Sequence, residues 1–337
     1  MKKRYKNLDG LRAYACIGIV LMHVLANGGF GLKGFVFEKI IPSFTNFTYL
    51  FMLLSAFSMC CGYYEKFKNN SINLEAFYKR RYQRIWPFFA LLCTIELIVN
   101  HSITSLYDWF ADLTLVFGLI PNNGIEVVGV GWFLGTIFVF YMVFPFFVFL
   151  LNNEKRAWFV MVIALILHLL CTIRFTETGG RENIVYSSIF FIAGGLLFLY
   201  RDRLVKIQFF SIAATLIAIA FYYHVDSSDY SNLILFSLLT IVCITCGGGI
   251  TKTIFQNKMV RLLSSISMEV YLCHMFVYRV IERHNLLQIT GNKVANYFIV
   301  SIVTICGASI FAILLKKIIV IVNEESIWSW ANENLNG

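Results

Sequence analysis

Arg12 and His23 stand 11 positions apart within one apolar run. At about 100° and 1.5 Å per residue that offset is three turns plus roughly 20°, so both side chains share one helical face, with His23 about 16 Å further along. A histidine flanked by Leu21, Met22, Val24 and Leu25 needs an internal cavity or a partner. It is either a functional group or a hydrogen-bonding contact to a neighbouring helix. Asp9, one turn before Arg12, can pair with it and fix the guanidinium. A second constellation is Phe77, Arg81, Arg84, Trp86 and Pro87. Arg81 and Arg84 are three residues apart on one face, so their planar donors can converge on phosphate. Anchoring at the cytoplasmic surface accounts for any one of these cations, but less well for two arginines set directly against an apolar segment.

Other polar groups in apolar surroundings are weaker candidates. Glu269, Tyr271 and His274 lie within two turns of one another and could line the same cavity or simply bridge helices. Glu96 and Arg279 are charges inside apolar runs that can pair or face a cavity. His168 reads as a packing residue, and His101, His224 and His284 as histidines at outer span ends. The nine cysteines, the Cys243 and Cys246 pair included, read as small apolar packing residues, with no metal site implied.

The elements that must position these groups follow from composition. Of 337 residues 58% are hydrophobic and 14% are charged, with 33 Phe, which excludes an ordinary water-soluble enzyme, a disordered chain and a disulfide scaffold. The net charge of +9 would suggest nucleic acid in a soluble protein; in a membrane protein what matters is where the charges sit, and no nucleic-acid partner is expected. Ten apolar runs have the length a helix needs to cross about 30 Å of hydrocarbon: 12 to 30, 46 to 63, 85 to 101, 131 to 151, 157 to 173, 185 to 200, 207 to 223, 231 to 249, 266 to 283 and 296 to 316. The expectation is an all-α polytopic membrane protein of about ten transmembrane helices. Trp109 to Ile120 is a further interfacial or re-entrant helix.

With both termini cytoplasmic, 20 of the 28 Lys and Arg, from Lys2 and Lys3 to Lys316 and Lys317, fall on the inner side. The outer loops gather Asp108, Asp112, Glu126, Glu177, Glu182, Asp226 and Asp229, with Lys33, Lys39, Arg181 and Lys293 as main cations. The opening MKKRYK and its apolar run are expected to stay as a span rather than to leave as a signal peptide. The chain reads as a single membrane domain over 1–337, with a short tail, 318–337, at the interface and no extracytoplasmic hydrolase-like domain.

Leu8, Asp9, Gly10, Leu11, Arg12 and Ala13 continuing to His23 resemble the opening of the acyltransferase 3 family of integral membrane proteins, whose hallmark is Arg, ten residues, then His in the first span. The Phe77, Arg81, Arg84 and Pro87 spacing is similar to that family's second motif. Trp132 to Thr136 continuing to Phe140, Tyr141, Phe144 and Pro145, and Ser265 to Glu269 continuing to Tyr271 and His274, follow in the family's order. The resemblance covers essentially the whole chain. It implies transfer of an acyl group, usually acetyl, from acyl-CoA on the cytoplasmic side of the cell membrane to a hydroxyl or amine, commonly on a surface polysaccharide. Arg12, Arg81 and Arg84 would then hold the CoA phosphates, and His23 would act as general base or carry the acyl group itself.

One departure stands out. Where many members have Trp-Ser-Leu-Ser-Val-Glu, this chain reads Trp132 to Ile137, with Ile137 in place of the Glu. Thr136, Tyr141, Glu269 and His274 are the candidates to replace it. Two other readings remain open at this level: a transporter or flippase for a polar glycan, and a non-catalytic membrane subunit of a glycan-assembly complex. Membrane lipid, a second copy of the chain and glycan-assembly proteins are the candidate partners beside donor and acceptor.

Overall fold

In the computed structural model, which describes residues 5–99, 103–115, 117–119, 127–175 and 180–335, every regular element is helical. In chain order the α-helices are α1 (Lys6–Asn27), α2 (Ile41–Ser43), α3 (Phe47–Lys68), α4 (Leu74–Val99), α5 (Ile103–Thr114), α6 (Trp132–Leu150), α7 (Glu154–Ile173), α8 (Ile184–Leu204), α9 (Gln208–His224), α10 (Asp229–Thr245), α11 (Ile250–Phe255), α12 (Lys258–Ser265), α13 (Ser267–Arg283) and α14 (Lys293–Leu335). Among the described residues six of them start where a side chain satisfies a free amide of the first turn, at Asn73, Asn153, Asn183, Ser228, Asn257 and Asn292. Seven stretches are long and apolar enough to cross a membrane, and an eighth is added if α12 and α13, bent by 77°, form one broken span.

The contiguous helical run Ile184–His224 doubles back on itself. Tyr186 near its start and Tyr222 near its end both reach the beginning of α3, through Asp229, which Tyr49 also contacts, and through Asn46. The reversal falls at Val205–Ile207, the tight turn between α8 and α9. Helix α5 folds back along α4, with Trp109 Nε1 bonded to Thr94 Oγ1 (3.1 Å) and Trp86 Nε1 to the Leu113 carbonyl (2.9 Å). The Trp109 segment is thus helical up to Thr114 and packs on α4; Val116 and Ile120 lie outside the described residues.

Small residues let the helices meet closely, as membrane interfaces require when no water drives them together. A Cβ on Gly194 of α8 would run into the Leu53 carbonyl and Ala56 of α3, and one on Gly10 into the backbone of Phe255. Two apolar cores result. One gathers α3, α6, α8 and α10 around Phe57, Phe140, Phe144 and Phe190; the other gathers α4, α13 and α14 around Phe89, Tyr278 and Tyr297. Helices α1 and α6 stand between them and contribute to both.

Two helices add detail to the apolar runs. The tail after Lys317 continues α14 as one helix to Leu335, about 64 Å at 1.5 Å per residue, roughly twice the hydrocarbon thickness. The ninth run begins at an elbow: Ile266 breaks the helix, and the Lys316 ammonium bonds the Ser265 carbonyl (3.3 Å) behind it.

Candidate active site

Helix α1 carries the site because its Arg12 and His23 face lies along the boundary between the two cores. Arg12 contacts Asp9 at 3.4 Å, donates to the Leu54 carbonyl at 3.2 Å and bonds the Ser58 hydroxyl. Arg81 reaches the same stretch of α3 from α4, donating to Tyr63 OH (2.9 Å) with its guanidinium over the rings of Tyr63 (5.1 Å) and Tyr141 (5.8 Å). Arg84 is exposed, and it and Tyr141 act electrostatically on Arg12. Arg12 and Arg81, two of the three arginines that the sequence singled out, therefore meet residues 54–63 of α3, and Arg84 is the exposed third. Ser58, Met59 and Tyr63, which hold the first two, carry no signal in sequence.

His23 meets His274 at depth, ring centroids 5.1 Å apart and tilted by 47°. His274 is fully buried, and its Nδ1 lies 2.6 Å from the Tyr271 carbonyl. A carbonyl only accepts, so Nδ1 carries the proton and Nε2 presents a lone pair. That Nε2 has no hydrogen-bond partner among the described residues. Tyr271 is fixed in turn by donating to the Val130 carbonyl (3.2 Å) at the start of α6.

Between the arginines and the imidazoles, Phe51, Phe133 and Tyr141 pack against both cores and stay partly accessible. Their rings continue to the histidines: Phe51 to Phe133 at 6.0 Å, Phe133 to Tyr271 at 5.2 Å, and Tyr271 to His274 at 6.0 Å. A seam lined by aromatic side chains thus runs from the cationic end of α1 to its histidine.

The other candidates have other partners. Thr136 is buried, and its hydroxyl is shared between the Trp132 (3.2 Å) and Glu182 (3.1 Å) carbonyls. Glu269 pairs with Lys316 at 2.8 Å, tying α13 to α14 at the elbow. Trp132 sits under the guanidinium of Arg181 (5.4 Å). Ile137, in the place of the family's Glu, is packed in the first core. Glu96 and Arg279 form an ion pair, and His168 bonds the Tyr186 carbonyl (2.9 Å) close to Asp229, a satisfied packing histidine as expected. The cysteines are free thiols, seven of them buried. His224 stacks on Phe35, His284 ends α13, and His101 lies outside the described residues.

The fold and this site define a polytopic helical membrane protein with an imidazole pair, one ring of it fully buried, beside aromatic rings that lie between it and a cationic end. The chain belongs to the acyltransferase 3 family: the family model, described as an acyltransferase domain, matches residues 5–313. No curated protein and no solved structure matches it.

Proposed function

We propose that this acyltransferase moves an acyl group, acetyl in the simplest case, from cytoplasmic acyl-CoA to a hydroxyl of a cell-surface or exopolysaccharide glycan across the cell membrane. The observation that carries the reading is the seam joining Arg12, Arg81 and Arg84 to the His23 and His274 pair. The arginine donors suit the CoA phosphates, and a pantetheine arm is long and slender enough to follow the partly accessible rings of Phe51, Phe133 and Tyr141. Ten crossings with both termini on the basic side fit the α8–α9 reversal, a crossing by α10, the α12–α13 elbow as one broken span, and the retention of Lys and Arg on the inner face.

In this reading His23 takes the proton of the acceptor hydroxyl as its oxygen attacks the thioester carbonyl. The tetrahedral oxyanion collapses, the carbon–sulfur bond breaks, and His23 returns the proton to the leaving thiolate, giving the ester and free CoA. His274 positions the base. In the resting structure the two rings only pack together; a turn of the His23 ring during the reaction brings its single N–H to the free Nε2 lone pair of His274 and its other nitrogen toward the substrate. An imidazole then does the orienting work for which Ile137 has no polar atom.

Membranes containing the protein, supplied with radiolabelled acetyl-CoA, test this directly. His23→Ala should insert normally and lose transfer to glycan; wild-type transfer in that variant overturns the assignment.

A further inference from the structure

Arg181 lies in the segment between α7 and α8, where sequence alone marked it only as one of a few cations in the outer loops. Its guanidinium covers the Trp132 ring, and its Nη1 donates to the Thr45 carbonyl (3.2 Å) and bonds the Thr45 hydroxyl. The backbone around it is fixed as firmly: Ser187 Oγ donates to the Arg181 carbonyl (2.8 Å), Thr136 holds the next carbonyl, and Asn183 caps α8. Among the described residues no carboxylate pairs with this half-buried cation, and its Nε and Nη2 have no acceptor. It holds Thr45 just before α3, whereas Arg12 and Arg81 hold residues 54–63 further along that helix, so it stands toward the end opposite the arginine cluster.

Thr45 also lines a cavity of about 240 Å³ together with Glu38, Ser43, Asn46, Tyr222 and Tyr223. Sites for drug-sized ligands run to roughly 300–1,000 Å³, so this one takes a single sugar-sized unit. Hydroxyl, amide and carboxylate groups beside tyrosine rings suit a ligand with an apolar ring face and many hydroxyls. A guanidinium presents parallel donors, matched to two neighbouring oxygens.

We infer that Arg181 is the acceptor-side positioning residue: it holds two neighbouring oxygens of a sugar unit seated in the Thr45 cavity and presents a hydroxyl of that unit to His23. The inference rests on the acyltransferase reading. It assigns the two ends of α1 to different substrates, the donor to Arg12, Arg81 and Arg84, and the acceptor to Arg181.

The test uses the full chain in detergent-opened membranes with radiolabelled acetyl-CoA, titrating a glycan extract of the producing cells. Arg181→Gln should raise the half-saturating glycan concentration about tenfold or more and leave acetyl-CoA half-saturation unchanged, while Arg181→Lys, which keeps the charge without the fork, restores part of the loss. Tyr223→Ala, which changes the cavity and leaves Arg181 in place, should shift the glycan dependence in the same sense. Wild-type glycan dependence in Arg181→Gln, beside lost transfer in His23→Ala, overturns this inference and leaves the proposed function standing. Equal glycan labelling by wild type and His23→Ala overturns the proposed function itself.

Discussion

The cations of the site and the cations of the scaffold are held in opposite ways. Arg279 is paired with the buried Glu96, and Lys316 with Glu269, so each meets a carboxylate and its charge is spent on joining helices. Arg81 is held by a phenol, a thioether and two aromatic faces, and Arg12 by a hydroxyl and a backbone carbonyl, with Asp9 at the longer distance of 3.4 Å. Neutral partners fix Arg81 without cancelling its charge, and Arg12 is held by neutral groups beside a longer ion pair to Asp9; charge fixed in this way is what an anionic ligand requires. Two groups of intramembrane charge that look alike in sequence therefore have different uses, and the nature of the partner tells them apart.

That comparison can be broken by experiment. The largest effect belongs to His23→Ala, where loss of a general base should cost about 10²–10⁴ in the rate of transfer at unchanged acetyl-CoA affinity, read by label incorporated into glycan. Next, Arg81→Met should weaken CoA binding by roughly 10- to 100-fold, the worth of a charge-assisted hydrogen bond of about 1.5–3 kcal/mol, measured by calorimetry on protein in lipid nanodiscs. Arg279→Met should do the reverse, lowering thermal stability while CoA affinity holds, because it leaves Glu96 buried without its cation. If both arginine variants changed the same quantity, the distinction between site and scaffold cations would fail.

His274→Phe sharpens the comparison on the imidazole side. It keeps a ring in the pocket but removes the lone pair, so transfer should fall about tenfold, the effect of one interaction of ~1.4 kcal/mol, with CoA binding intact. Gly194→Leu should leave the chemistry alone and destabilise the α3–α8 contact by about 1–3 kcal/mol through overpacking, seen as a lower melting temperature in detergent.

The smallest effect lies in the turn before α10. The hydroxyls of Ser228 and Ser231 hold the Asp226 carboxyl below the usual carboxylate range. A depressed carboxyl adds stability above its unfolded value, near pH 4, and loses it as pH falls through the folded value. The melting temperature should therefore slip slightly below about pH 4, and Asp226→Asn should flatten that slope.

Sequence was most legible where one helix decides the outcome. The 11-residue offset puts Arg12 and His23 on one face whatever surrounds them, and the run over 131 to 151 became Trp132–Leu150, because lipid requires an apolar length close to the membrane thickness. Boundaries failed where polar residues extend a helix past the lipid. Helix α4 starts at Leu74, so the Arg81 and Arg84 motif is one helix with the span after it, and α14 runs on to Leu335. Among the residues proposed to replace the family's Glu, Thr136 and Glu269 proved to be engaged in joining segments, and nothing in their spacing distinguishes them from His274.

By itself, then, the chain determined a helical membrane protein, the shared face of Arg12 and His23, and the basic motif at the start of α4, since these depend on apolar length and helical period alone. Tertiary structure decided that His274 meets His23, that Ser58 and Tyr63 hold Arg12 and Arg81, that Glu269 belongs to Lys316, and that Arg181 stands toward the opposite end of the seam. Those contacts join residues far apart in the chain, and helix packing selects them through the close approach of small residues such as Gly10 and Gly194, which no local pattern records.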